Sequence, residues 1–429
     1  MHGGLLRPTR AVLGRAAQQT GRRMGRRKYV AVRACPCPRR TRSLVGIEPR
    51  VSATGSDRET SLTLGLPRMG QEPEERRDFL PSLARHVANL GVDVLLESGL
   101  GTRMGYADRD YLNTSERVRI VGRDEAFAQD VVLVLRSPDD YFELMRPGST
   151  LVSMLHFPTR VQRYRRLKEL GIEAVSLDLI VDDNNRRLVE NMEAVAWNGL
   201  EAAFEVLAHS YPRFKTHDRD PIRVTIMGAG MVGKHAVEAA TKYGSLDRAR
   251  TLSDYPGVEV TVLGRNLTAN ERYLRERLRV TDLLVDAAYR SDASRPLVEN
   301  DWIDDLPEHA VICDLSVDPY LLHADPPTVR GVEGIPRGSL EQYVFYPDDP
   351  NWRLKIPHGV PALKRRTTVS CYSWPGIHPR ACMHRYEEQL LPLLERLFQT
   401  GGAGRLRPDG GYLERALYRA STGAWVSLL

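Results

Sequence analysis

Residues 222–233, with the sequence IRVTIMGAGMVG, decide the fold of this protein, because an apolar run passes directly into a glycine-rich turn. The run Ile222–Met227 predicts a buried strand, and Lys234–Tyr243 after the turn predicts a helix. In this context a GxGxxG turn lets a pyrophosphate approach the backbone at the helix N-terminus. The sequence therefore predicts a dinucleotide-binding unit. Its cofactor-binding residues are expected to be Gly228, Ala229, Gly230, Met231, Val232 and Gly233.

The end of the next predicted strand, Val258–Leu263, bears on the choice of dinucleotide. In a unit that prefers NAD(H), an Asp or Glu at this point would bind the ribose hydroxyls. Here the strand is followed by Gly264, Arg265 and Asn266, so a guanidinium suited to a 2′-phosphate stands where the acid would be. We expect NADP(H) to be favoured over NAD(H), with Arg265 and Asn266 as contacts, unless Arg265 is simply a solvated surface residue.

Upstream of this unit, short apolar runs alternate with segments of helical length, which indicates βαβ units and parallel sheets. Helices are expected over Asp78–Leu90 and Asn191–Ala208, the second as a connector between domains. We predict an α/β fold with two doubly wound, Rossmann-like parallel-sheet domains and a cleft between them. The expected ranges are a disordered basic arm at 1–60, a substrate domain at 61–190 completed by residues 370–429, and a dinucleotide-binding domain at 191–345.

The positive charge of the chain is concentrated at its beginning. There are 61 Lys and Arg against 55 Asp and Glu, yet residues 1–47 contain twelve of the bases and no acid, so that acids outnumber bases by six in the remainder. This distribution argues against a nucleic-acid surface on the folded part. Three interpretations of the arm stay open: an RNA-binding tail, a transit-type presequence, and an over-extended start with Met24 or a later codon as the true beginning.

The composition also argues against several kinds of protein. The longest apolar runs are too short to span a membrane, and the five cysteines form neither a disulfide framework nor a zinc-ligand spacing. We therefore expect a cytoplasmic protein with no membrane partner, no nucleic-acid partner and no metal.

Seven further segments follow one another along the chain in an order that is itself informative. They are LGLPRMGQEPEERRDFLPSLARHVANLGVDVLLESGLG, VLVLRSP, LVSMLHFPTR, SLDLIVDD, ENMEAVAWNGLEAA, VICDLSVDPY and WPGIHPRAC. Together with the glycine turn, their order and spacing resemble those of the alanine dehydrogenase/pyridine nucleotide transhydrogenase family, which includes lysine-forming saccharopine dehydrogenases. The last segment is most similar to the saccharopine form of its loop.

The resemblance implies roles for three residues. Arg76, five residues before Pro81, would bind the substrate α-carboxylate, for which a planar guanidinium is well suited. His156 would be the acid/base that moves protons during deamination. Asp318 would lie near the nicotinamide and the reacting amine, with Asp314 as a more structural neighbour. Without the resemblance, Arg76 would be interpreted as a surface charge and His156 as a structural histidine.

Arg136 departs from the family pattern, which has a catalytic lysine at this position. An arginine keeps the positive charge and could polarise a carbonyl or bind a carboxylate, but it cannot be deprotonated to act as a base. Either His156 and Asp318 then carry out all proton transfers, or the substrate differs from alanine and pyruvate, or the activity is lost.

A second departure lies near the expected nicotinamide site. The segment Pro336–Arg366 is longer and more aromatic than in alanine dehydrogenases, and Trp374 and His378 follow it. These residues indicate either an enlarged rim for a bulkier substrate or a surface excursion with ordinary packing aromatics.

We expect an NAD(P)-dependent oxidoreductase that acts on the C–N bond of an amino acid, by reductive amination of a 2-oxo acid or the reverse oxidative deamination. Its partners would be an amino acid or 2-oxo acid, and the resemblance implies a homo-oligomer. One alternative is an opine- or saccharopine-type dehydrogenase that forms a secondary amine. Another is a transhydrogenase-like subunit, although that branch lacks the pair Leu155 and His156. A catalytically silent dinucleotide-binding regulator is the alternative of a different class.

Overall fold

Two sheets of six strands each form the framework of the part of the chain that the computed structural model describes, residues 62–70, 74–252 and 255–425. The basic arm expected at 1–60 lies outside the described residues. The strands of the first sheet are β1 (Thr63–Leu66), β2 (Asp93–Glu97), β3 (Val118–Val121), β4 (Val131–Arg136), β5 (Thr150–Met154) and β6 (Glu173–Ser176). All are parallel, in the order β3-β2-β1-β4-β5-β6.

The second sheet contains the glycine-rich turn. Its strands are β7 (Ile222–Met227), β8 (Val258–Leu263), β9 (Leu283–Asp286), β10 (Val311–Asp314), β11 (Val344–Phe345) and β12 (Thr367–Ser370). The order is β11-β12-β10-β9-β7-β8, and β11 alone runs antiparallel to its neighbour. The predicted α/β class with two Rossmann-like sheets is confirmed. The second sheet extends to residue 370, past the expected limit at 345.

Twelve α-helices lie among these strands within the described residues. They are α1 (Pro81–Asn89), α2 (Asp108–Leu112), α3 (Arg123–Phe127), α4 (Val161–Glu169), α5 (Met192–Ser210), α6 (Met231–Thr241), α7 (Leu246–Thr251), α8 (Arg265–Thr268), α9 (Glu271–Leu278), α10 (Pro379–Thr400), α11 (Tyr412–Arg419) and α12 (Thr422–Trp425). None of them combines the length and the apolar character needed to cross a bilayer.

Helix α5 begins at Met192, one residue after the expected Asn191, and two other helices begin three residues away from the expected positions. Helix α1 was expected from Asp78 but begins at Pro81, because a proline disfavours the helical region for the residue before it, and Leu80 is extended (φ −79°, ψ 158°). Helix α6 was expected from Lys234 but begins at Met231, and the Lys234 N–H already donates to the oxygen of Gly230 at 2.9 Å. The last glycine of the turn therefore lies inside the first helical turn.

Each sheet has a point at which its strand order reverses, between β1 and β4 in the first sheet and between β7 and β9 in the second. The connections that leave two such strands diverge, which opens a crevice at their carboxyl ends. Arg136 ends β4, and the turn at 228–233 follows β7. Each crevice therefore carries residues that the sequence singles out.

The chain returns to the first sheet at its C-terminal end. Met383, Leu390 and Leu394 on α10 are buried in the same core as Leu64 of β1 and Val94 of β2. The first domain is therefore built from two distant parts of the chain, with the second domain inserted between them.

The two connections between the sheets lie side by side. Helix α5 leads to the second sheet, and the segment around Trp374 leads back. Asn198 Nδ2 donates to the backbone oxygen of Trp374 at 2.8 Å. A Cβ on Gly199 would lie 2.2 Å from Cδ2 of Leu315 and 3.4 Å from Cε2 of Trp374, so a glycine is what allows this close approach.

We expect Leu394→Ala to lower the free energy of unfolding by about 2–5 kcal/mol, because it opens a cavity in the core of the first domain. Gln399→Ala, an exposed change on the same helix, should stay within about 0.5 kcal/mol of wild type. Urea unfolding followed by circular dichroism measures both. Equal losses for the two variants would contradict the packing of α10 described above.

Candidate active site

A buried carboxylate organises the crevice of the first sheet. Glu75 accepts hydrogen bonds from Nε of Arg77 at 2.9 Å and from Nη2 of Arg77 at 2.7 Å. On its other side, Nε of Arg136 is 3.7 Å from Glu75 Oε2. Burial alone would raise the pKa of Glu75, but the hydrogen bonds and charge of Arg77, with the charge of Arg136, lower it to about 2. Glu75 is therefore ionised at neutral pH and holds Arg136 beside it.

Two adjacent arginines have opposite environments. Arg77 is buried and paired with Glu75, whereas the neighbouring Arg76 is exposed. Arg76 lies on the side of Tyr343, whose pKa is raised by burial while the charge of Arg76 acts in the opposite direction. No ion pair among the described residues engages the Arg76 guanidinium. Of the two, Arg76 is the one that a carboxylate from solution can reach.

The histidine that the sequence singles out is held by an aspartate. Nδ1 of His156 is 3.3 Å from Oδ2 of Asp178, and the His156 backbone N–H donates to Oδ1 at 3.1 Å. The hydroxyl of Ser176 donates to the same Oδ1 at 2.8 Å. Burial would raise the pKa of Asp178, but the hydrogen bonds and charge of His156 lower it to about 2. With Nδ1 occupied and the ring half exposed, Nε2 is the nitrogen that can exchange a proton with a ligand.

Asp178 was not predicted from the sequence, although its position after a strand next to that of His156 is a signal for it. Ser176 ends β6, and Asp178 follows it, while His156 follows the neighbouring strand β5. The carboxyl ends of adjacent parallel strands meet at one edge of the sheet, so an acid after β6 lies within reach of a histidine after β5.

The turn at 228–233 has the shape that a pyrophosphate requires. A Cβ on Gly228, which has φ 106°, would lie 2.4 Å from the oxygen of Ala287, and a Cβ on Gly233 would lie 2.1 Å from the oxygen of Gly228. By contrast, no atom lies within 4 Å of a Cβ placed on Gly230, so the backbone there is open. Gly230 precedes α6 without a side-chain cap, so the first N–H groups of the helix can take an anion. These residues fit a dinucleotide phosphate.

Arg265 and Asn266 lie at the start of α8, next to this turn. Strand β8 pairs with β7, and the N–H of Gly228 donates to the oxygen of Leu263 at 2.9 Å. Both side chains are exposed. Their position beside the phosphate turn is compatible with contacts to the adenosine ribose.

Asp314 and Asp318 differ in their surroundings. Asp314 is buried, pairs with Arg330, and accepts from the hydroxyl of Ser370 at 3.1 Å. Asp318 is partly exposed and accepts from Nη2 of Arg290 at 2.6 Å. No hydrogen bond or ion pair within the described ranges joins Asp318 to His156. The structural interpretation of Asp314 fits its burial, and Asp318 is the more accessible acid.

A third acid, Asp286, lies at the end of β9, the strand that pairs with β10. Burial raises its pKa, and the negative charge of Asp314 raises it further. The Asp286 carboxylate accepts from the N–H of Ala288 at 3.1 Å and from the hydroxyl of Ser316 at 3.1 Å. No group of three or more His, Cys, Asp or Glu in the described ranges is arranged to hold a metal ion.

The aromatic residues of the long segment mostly pack inward. Trp374 is 1% exposed and donates from Nε1 to the backbone oxygen of Asp314 at 2.8 Å. Trp352 and Phe345 lie in a small separate core. His378 is exposed, with Nε2 3.7 Å from Oε2 of Glu201. Packing therefore accounts for these tryptophans, and they do not form a rim.

The two sheet edges face one another. Cζ of Arg136, at the end of β4, is 5.1 Å from the ring centroid of Tyr372, which follows β12. Glu74 from the first domain lines one groove together with Arg337 and Tyr372 from the second. The candidate active site is therefore the cleft between the histidine edge and the glycine-turn edge.

Glu75→Gln should destabilise the protein by about 3–5 kcal/mol at neutral pH, because it leaves Arg77 buried without its counter-charge. Since the folded-state pKa of Glu75, about 2, lies below the ordinary value of 4.5, its stabilisation is present above pH 4.5 and is lost as the pH falls towards 2. The gap between wild type and variant in urea unfolding should close over that range. Asp93→Asn, in an exposed pair with Arg117, should change stability by less than about 1 kcal/mol, and a similar loss there would count against this account.

Two family models match the chain. The model described as "Alanine dehydrogenase/PNT, N-terminal domain" matches residues 65–196, and that described as "Alanine dehydrogenase/PNT, C-terminal domain" matches residues 215–319, together more than half of the sequence.

Relatives and a solved structure point the same way. An alanine dehydrogenase of Halomonas elongata is 25% identical over 278 residues, which cover 60% of this chain and 73% of that protein. An NAD(P) transhydrogenase subunit alpha of Haemophilus influenzae is 22% identical over 288 residues, 59% of this chain and 56% of that subunit. A structure of L-alanine dehydrogenase shares the fold with a TM-score of 0.60 at 19% identity, covering 84% of this chain and 94% of that one. The protein belongs to the alanine dehydrogenase/PNT family.

Proposed function

We propose that this protein is an NAD(P)-dependent oxidoreductase that acts on the C–N bond of an amino acid, interconverting a 2-oxo acid and a 2-amino acid. The observation that carries the proposal is the His156–Asp178 pair, which fixes an imidazole at the edge of the cleft. The opposite edge bears the phosphate turn, and family membership supports the same class of chemistry.

The dinucleotide would be held by the turn at 228–233 and the N-terminus of α6. When bound, it supplies hydride exchange with the substrate α-carbon. We propose NADP(H) as the preferred form, with Arg265 and Asn266 at the adenosine ribose. The support for this preference is a free guanidinium beside the turn: Arg265 is exposed, and no ion pair in the described ranges engages it.

The substrate would be bound and protonated by residues of the first edge. Arg76 binds the α-carboxylate, since it is exposed and its charge acts on Tyr343 of the second domain. Arg136 orients and polarises the carbonyl oxygen but moves no proton, because a guanidinium stays charged. His156 holds and delivers the proton at Nε2, while Asp178 keeps the ring in place through its contact with Nδ1.

Asp318 would act by charge. Its carboxylate forms an ion pair with Arg290, which fixes the position of the acid and offsets part of its negative charge. We propose that Asp318 stabilises the cationic imine of the substrate and that His156 performs the proton transfer.

The activity test combines purified protein with NADPH or NADH, ammonium, and pyruvate, glyoxylate or 2-oxoglutarate. We expect cofactor oxidation, and His156→Ala should lower kcat by about 10²–10⁴-fold, the usual contribution of a positioned acid/base. His384→Ala, an exposed histidine on α10, is the control and should leave kcat unchanged. Unaltered kcat in His156→Ala would remove the histidine from the mechanism, and dinucleotide binding without turnover of any substrate would favour the silent regulator.

Arg265→Ala tests the choice of dinucleotide. The variant should weaken NADPH binding by about tenfold or more, the loss of a charge-assisted contact to the 2′-phosphate, with little change for NADH. Fluorescence titration with each dinucleotide measures both. Arg272→Ala, an exposed arginine on α9, serves as the control. Equal weakening of NADPH and NADH would refute the assignment.

A further inference from the structure

A groove separate from the glycine turn runs between the domains. Its lining contains Glu74 from the first domain and, from the second, Arg337, Lys355 and Tyr372, with Leu354, Ile356 and Pro357 between the charged groups. Its volume is about 420 Å³. Residues 337–357 belong to the segment Pro336–Arg366, which we expect from the sequence to be longer than in alanine dehydrogenases. The segment therefore supplies one wall of a groove whose lining includes Tyr372, the ring that adjoins Arg136.

The two cations of this wall have no ion-pair partner among the described residues. These cations, Arg337 and Lys355, are both exposed. Two other arginines of the second domain have buried side chains and carboxylate partners. Arg290 pairs with Asp318, and Arg330 pairs with Asp314. Two exposed cations in one groove, neither of them in an ion pair with a described residue, make a region that attracts an anion.

Tyr372 connects this groove with the reacting end of the cleft. Cζ of Arg337 is 6.0 Å from the ring centroid of Tyr372, and Cζ of Arg136 is 5.1 Å from the same centroid. One aromatic ring thus adjoins both the arginine at the end of β4 and the arginine of the groove. A ligand with one end at Arg136 has its other end within reach of Arg337 when a short carbon chain separates them.

The rest of the lining suits such a chain. Leu354 is 80% exposed, and Ile356 and Pro357 add apolar surface beside it. Glu74, the one carboxylate of the lining, lies on the opposite wall and can accept a hydrogen bond from an ammonium group. The groove therefore offers cations, an apolar stretch and an acid, which matches an amino acid or a dicarboxylic acid better than pyruvate.

We propose that Arg337, assisted by Lys355, forms a subsite for a substrate carboxylate remote from the reacting carbon. The part of this inference that concerns the reaction rests on the proposed function. The part that concerns binding rests on the groove alone. The remote carboxylate has two sources: the far end of a dicarboxylic 2-oxo acid, or the carboxylate of an amino acid that donates its amine in place of ammonium.

Binding is tested first, without turnover. Calorimetry with the full chain and NADPH compares glutarate, which has two carboxylates, with butyrate, which has one. Glutarate should bind wild type more tightly, and Arg337→Gln should weaken glutarate by about tenfold or more while butyrate stays within about twofold. Arg337→Lys should retain part of the affinity, and Arg272→Gln should retain all of it. The subsite is refuted if glutarate binds wild type no better than butyrate, or if Arg337→Gln leaves glutarate binding unchanged.

Kinetics then separates the two sources. In one arm 2-oxoglutarate is paired with ammonium, and in the other pyruvate is paired with lysine, whose carboxylate is remote from its ε-amine. Arg337→Gln should raise KM about tenfold for 2-oxoglutarate or for lysine, according to the source, and leave KM for pyruvate with ammonium unchanged. An equal rise for every substrate would overturn the proposal. Glutarate binding that depends on Arg337, with no turnover in either arm, would contradict the proposed function and leave the subsite standing.

Discussion

The buried ion pair of Glu75 and Arg77 is the interaction on which the first domain and the cleft both depend. A buried charge is tolerated only beside its counter-charge, so this pair forms only when the surrounding elements have closed around it. Arg77 lies beside Cys382 of α10, which ties the pair to the C-terminal part of the chain. Glu75 in turn fixes Arg136, which reaches the ring of Tyr372 in the second domain. One carboxylate thereby connects the core, the candidate site and the opposite wall.

The distribution of counter-charges separates structural cations from available ones. Arg77, Arg290 and Arg330 are buried and each is paired with a carboxylate, so their charges are largely neutralised within the fold. Arg76 and Arg337 have no carboxylate partner within the described part of the chain and remain exposed. The cleft thus carries exposed cations although the sequence after the basic arm has an excess of acids. Such local asymmetry attracts small anions and is invisible in the net charge.

Strands were the most predictable part of the fold, because an apolar run bounded by polar residues has few alternatives; β7 and β8 have the predicted bounds. Helix starts were less predictable. Pro81, for example, keeps the residue before it out of the helical conformation, and α1 starts later than the apolar pattern suggests. In the site, sequence reasoning singled out His156 and missed Asp178, because their contact depends on which strands are neighbours. Residue type alone does not tell that Arg77 is buried and Arg76 exposed, since adjacent identical residues differ only in the direction that packing gives them; the family resemblance is what singled out Arg76.

The return of α10 to the first sheet has a consequence for how the protein is made. The second domain is contiguous from α5 to Trp374, so a nascent chain can complete its core once Trp374 has left the ribosome. The first domain begins the described chain, yet its core waits for Met383, Leu390 and Leu394. The usual order of domain formation during synthesis, amino-terminal before carboxy-terminal, is therefore reversed. Until the last helices arrive, the part of this core that α10 covers stays exposed to solvent, and this is the interval in which a chaperone has most to protect.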